Sequence, residues 1–127
     1  FKALETSLEL FDNVDIADIR KKSSDLTDLF IEETHKNCPT LELVSPRSAE
    51  SRGAHLAYSF EQGYALIQCL LKNGVIGDFR APNLMRFGFN PLFIDQNDVL
   101  KASEILTRII TQKEWNRKKF KLKSYVT

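Results

Sequence analysis

The residues best suited to chemistry in this chain are two arginines set among apolar neighbours. Gly74 to Phe93 reads GVIGDFRAPNLMRFGFNPLF and contains Arg80 and Arg86. Arg86 lies between Met85 and Phe87, and a guanidinium in such a run must find an anion if it points inward. The planar arginine fork matches a carboxylate in bidentate geometry. Arg86 is therefore either a structural partner of Asp78 or Asp95, or the receiver of a ligand carboxylate. Spacing alone favours the structural pairing, and Arg80, ahead of Ala81-Pro82, leans further that way. Other constellations offer less. The acidic pairs Asp25 and Asp28, and Glu32 and Glu33, fall on the polar side of a helical pattern and read as solvated. His55 is a lone strand histidine and reads as structural. No glycine-rich phosphate loop, HExxH or GxSxG motif occurs. Cys38 and Cys69 lack CxxC spacing and only His35 and His55 accompany them, so no metal site is expected. The thiols read as buried or idle in a reducing compartment.

The elements that would position these residues follow from periodicity. Leu4, Leu8 and Phe11 make residues 1–11 the end of an amphipathic helix. Asp15 is a good N-cap for a second helix, with Asp18 in its first turn. Ile16, Ile19, Ser23, Leu26 and Phe30 form its apolar stripe, which closes near Asn37 before Pro39. Leu41-Glu42-Leu43-Val44 and Ala54 to Phe60 read as strands that pair antiparallel around a polar loop. The second strand places Leu56, Tyr58 and Phe60 on one face and His55, Ala57 and Ser59 on the other. Gln62 to Asn73 reads as a helix, with Gly74 in the left-handed position that ends it. Two short strands, Val75 to Phe79 and Leu84 to Phe87, flank the Ala81-Pro82-Asn83 connection. Asp95 caps a last helix carrying Val99, Leu106 and Ile109. The predicted architecture is α/β of the α+β type: a small, mostly antiparallel sheet of about three to four strands, with helices on one face.

At 127 residues the chain suits one domain with its own core. Its 43% apolar and 28% charged residues are those of a soluble globular protein, and a net charge of +1 gives no global attraction to nucleic acid or membrane. No run approaches 18 apolar residues and no signal peptide is visible. The tail, residues 112–127, is basic, with Trp115, Phe120 and Tyr125 interspersed. Such a mixture can bind nucleic acid, but the favoured reading is a terminal segment whose aromatics dock on the body. The chain opens Phe1-Lys2-Ala3-Leu4, without methionine and already in helical pattern, and so is expected to be a piece of something longer.

Gly74 to Phe93 also closely resembles the C-terminal segment of the kynureninases, in which a G-V-I-x-D-x-R-x-P pattern precedes an arginine and then P-L-[YF]. LELFDNVDIADIRKKSSDLTDLF, LVSPR, RGAHLAYSF and the helix after PLF resemble the same family, over roughly residues 1–110. The resemblance implies a fold-type-I pyridoxal-phosphate enzyme that hydrolyses L-kynurenine to anthranilate and L-alanine, a cytoplasmic homodimer of tryptophan degradation and NAD synthesis. It implies that residues 1–111 are the small C-terminal domain, with 1–11 the end of the connecting helix; the basic tail, 112–127, lies outside the resemblance. Arg86 matches the arginine that holds the substrate α-carboxylate, and the substrate is L-kynurenine or 3-hydroxykynurenine. By the same resemblance, the Schiff-base lysine and the other cofactor-binding residues belong to a missing large domain. No catalytic residue is then expected here, and the piece alone is expected to be inactive. Two alternatives remain open: a stand-alone, non-catalytic interaction module, and the small domain of another fold-type-I enzyme, a cysteine desulfurase or an aminotransferase.

Overall fold

The computed structural model of the protein describes residues 2–123. Helices α1, Lys2–Glu9, and α2, Ile16–Asn37, are followed by strands β1, Glu42–Leu43, and β2, His55–Ser59. Helix α3 spans Gly63–Lys72, strands β3 and β4 span Asp78–Arg80 and Leu84–Gly88, and α4 spans Gln96–Thr111. A single helical turn, α5, runs Lys118–Lys121. The strands form one antiparallel sheet in the order β1-β2-β4-β3. This is the α+β arrangement expected from the pattern.

The helix starts come from local chemistry. The Asp15 side chain accepts a hydrogen bond from the Ala17 N–H at 2.8 Å. Asp95 and Asp98 form a reciprocal capping box, with the Asp98 N–H donating to Asp95 at 2.9 Å and the Asp95 N–H donating to Asp98 at 3.0 Å. Each bond satisfies a backbone donor that the first helical turn leaves orphaned.

Period-two alternation in β2 and β4 divides the sheet into two faces. Leu56, Tyr58, Met85 and Phe87 point under the helices and are buried. They pack with Leu26, Phe30, Leu66, Leu70, Val99 and Leu106, and removing each such side chain from water contributes about 1.5–3 kcal/mol. Phe30 from α2 sits amid the aromatics, with ring centroids 5.9 Å from Tyr58, 5.6 Å from Phe87 and 5.2 Å from Phe89. The Tyr58 hydroxyl lies 2.9 Å from the Thr34 Oγ1, which is itself bonded to the Phe30 carbonyl at 2.8 Å.

Three details differ from the sequence expectation. The strand expected from Val75 begins only at Asp78. The Val75 N–H is taken by the Leu70 carbonyl at 2.9 Å, closing α3 around Gly74, whose φ is +87°, so it cannot join the sheet ladder. Gly77 then passes so close to β4 that a Cβ there would lie 2.8 Å from the Phe87 ring. The strand expected over Leu84 to Phe87 continues to Gly88, whose position pairs with His55. Helix α1 buries no residue, and Leu4 and Leu8 are exposed, so its apolar stripe covers nothing within the described residues. The tail behaves as its aromatics suggested: Trp115 meets the Phe60 ring edge-on at 5.7 Å and Phe120 is buried. Tyr125 lies outside the described residues.

Burial pushes the Tyr58 phenol up to about 12, against a smaller opposing contribution from its Thr34 hydrogen bond. A raised phenol pKa means that the folded state holds its proton more tightly than the unfolded chain. That stability is fully present below pH 10 and is lost as pH rises from about 10 to 12. Tyr58→Phe is expected to cost about 1 kcal/mol at neutral pH, the worth of one net hydrogen bond. It should also reduce the loss of stability above pH 10. Urea denaturation across the pH range measures both.

Candidate functional site

The sheet face away from the helices is where the chemistry-bearing residues meet. Antiparallel register sets Arg86 of β4 directly between Ala57 of β2 and Asp78 of β3. His55, Ser59, Leu84 and Arg80 share that face by the same alternation. Arg86 donates from Nε to one Asp78 carboxylate oxygen at 2.8 Å and from Nη2 to the other at 2.6 Å. Its side chain remains 40% exposed. The hydrogen bonds from Arg86 hold the Asp78 carboxyl below the usual carboxylate range, against a smaller desolvation contribution, and the same contact raises the Arg86 guanidinium. Arg80 approaches the same carboxylate more loosely, at 3.8 Å.

Of the two partners open to Arg86 in the sequence, the structure selects Asp78. Asp95 is committed to the α4 cap, bonded with Asp98. His55 lies beside Gly88, where an added Cβ would come within 3.5 Å of its ring. Ala57 presents only a methyl group, so one flank of Arg86 is low while the other carries its counter-ion. A separate groove of about 790 Å³ lies between the start of α2 and the loop after β4, lined by Ile16, Ile19, Arg20, His55, Phe89 and Phe93. Arg86 is not among its lining residues.

The acidic pairs on α2 divide. Asp25 pairs with Lys21 at 3.0 Å on the surface, as expected of a solvated carboxylate. Asp28 instead pairs with Arg52, whose side chain is only 2% exposed. Arg52 also donates to the Thr27 hydroxyl at 2.9 Å and to the Arg47 and Pro46 carbonyls. It thereby ties the 44–54 loop to α2. Sequence reasoning passed over Arg52 because a loop arginine among polar residues carries no periodic signal.

Cys38 and Cys69 are free and buried, and desolvation raises both thiols. Among the described residues no group of histidine, cysteine, aspartate and glutamate could hold a metal, and no helix is long and apolar enough to cross a membrane. Every lysine of the chain is exposed, and none shares the open sheet face with Arg86. The residues of this face therefore do not fit an aldehyde cofactor held through a lysine. The carboxylate that Arg86 holds in this structure is that of Asp78.

Fold and site together define a small helix-backed sheet domain that displays an arginine–aspartate pair on its uncovered face. The family model for the kynureninase C-terminal domain matches residues 19–106. The chain is 43% identical over 126 residues to the kynureninase of Pseudomonas fluorescens, and 37% identical to those of Burkholderia mallei (strain SAVP1) and Burkholderia pseudomallei (strain 1106a). The chain belongs to the kynureninase C-terminal domain family. Each match covers 98% of the chain and 30% of the relative, so the chain spans about a third of the length of these relatives. The similarity also runs beyond residue 110, where the sequence alone offered no likeness.

Two ion pairs on one helix should respond differently to neutralisation. Asp28→Asn strips the charge partner from a buried guanidinium and is expected to cost about 1–3 kcal/mol. Asp25→Asn removes an exposed i,i+4 pair and is expected to cost less than about 0.5 kcal/mol. Chemical denaturation midpoints at fixed m compare the two directly.

Proposed function

We propose that this domain works as the C-terminal part of a kynureninase, a hydrolase that cleaves L-kynurenine or 3-hydroxykynurenine and releases alanine. Arg86 binds the α-carboxylate of the substrate. The observation that carries the reading is a mid-strand arginine on an uncovered sheet face, flanked on one side by the methyl of Ala57. The likeness to curated kynureninases supports the substrate class.

The chemistry asked of Arg86 is orientation. A carboxylate gripped by a planar fork cannot rotate freely, so the bonds at the adjacent carbon keep a set direction through the reaction. Pyridoxal phosphate, when bound, supplies the electron sink for that carbon. Its lysine and phosphate contacts come from a large domain that the relatives' remaining length accommodates. The working form in this reading is a cytoplasmic homodimer.

The test is Arg86→Lys in the full-length protein. A lysine keeps the charge but loses the bidentate fork. Loss of such a partner is worth ~3–5 kcal/mol once the ligand is desolvated, or about two to four decades of kcat/KM for L-kynurenine. Near-normal kinetics would overturn the assignment of Arg86.

A further inference from the structure

Arg86 has five N–H donors, and only two of them are spent on Asp78. The two used, on Nε and Nη2, lie along one edge of the guanidinium. Of the remaining donors, one on Nη1 and one on Nη2 form its end, which is a second bidentate edge with the right spacing for another carboxylate, while the other Nη1 donor faces back along the side chain's own stem. We infer that Asp78 is the positioning residue for Arg86: it clamps the side edge of the fork so that the end edge is presented, already oriented, to the ligand carboxylate. The inference rests on the α-carboxylate reading of Arg86 given above.

The fold supplies the conditions for this. Asp78 and Arg86 are direct cross-strand partners on the same face, the closest arrangement that neighbouring strands allow. The segment leading into Asp78 is pressed against β4 at Gly77, where an added Cβ would lie 3.0 Å from the Arg86 carbonyl. The carboxylate therefore sits on backbone that is packed onto the strand it serves. The opposite flank of Arg86 is Ala57, which offers no competing acceptor in its side chain. An arginine without Asp78 would keep its charge and its place in the strand. It would lose the partner that selects one rotamer from the many that a long side chain explores.

The test uses the full-length enzyme with L-kynurenine as substrate, and with the corresponding amine lacking the α-carboxylate as an inhibitor. Asp78→Asn is expected to lower kcat/KM on the order of ten- to a hundredfold, the scale of a misplaced binding group. The inhibition constant of the carboxylate-free amine should not change. Asp78→Glu, which retains the charge on a longer arm, is expected to recover part of the loss. In an Arg86→Lys background Asp78→Asn should add little, because the two act as one unit. Equal losses with both ligands would make Asp78 merely structural and overturn the inference. Wild-type kinetics in Asp78→Asn would overturn it too, as would tighter binding of the carboxylate substrate, which would make Asp78 a competitor. Wild-type kinetics in Arg86→Lys alone would instead remove the α-carboxylate reading and this inference with it.

Discussion

The two-residue alternation shared by β2 and β4 is the constraint on which the other features depend. Their register pairs Leu56 with Phe87 and Tyr58 with Met85 on the covered face, and Ala57 with Arg86 on the open one. A slip of one residue would exchange the faces, driving a guanidinium under the helices and two large apolar side chains into water. Phe30 guards against that slip from above, since its ring meets Tyr58, Phe87 and Phe89 together. The core thus specifies the face on which Arg86 lies. The same packing that stabilises the domain places the Arg86 side chain on the open face.

Charge is used in two ways here, and burial separates them. Arg52 is enclosed, and its several hydrogen bonds fasten a long loop to α2, so its contribution is structural. Arg86 and Asp78 are half-exposed, and a pair in that setting adds little to stability. Its geometry is nevertheless bidentate and close. Apolar residues left in water, among them Leu4, Leu8, Ile76 and Phe93, belong to a chain that spans about a third of its relatives' length.

Much of the scaffold was legible in the residues. Asp15 and Asp95 announced their helices because a capping carboxylate acts on backbone donors only two or three residues away. The faces of β2 followed from strict alternation. Val75 misled because β-branched character is a local preference, and the closure of α3 on Leu70 claimed its N–H. Arg86 was recognisable as an anomaly, and the GVIGDFRAP pattern gave it a family. Its present partner was not decided by spacing, since Asp78 and Asp95 are eight and nine residues away in opposite directions.

From sequence alone came the helix caps, the alternation that makes a two-faced sheet, the family, and the singular position of Arg86. All of these depend on neighbours within a turn or two, or on a contiguous pattern. The tertiary structure decided that Asp78 and not Asp95 faces Arg86, that Asp28 is the partner of a buried Arg52, and that α1 covers nothing within the described residues. Those outcomes turn on strand register and on distances between elements far apart in the chain. Such distances are fixed when the core packs, and a one-dimensional pattern carries no measure of them.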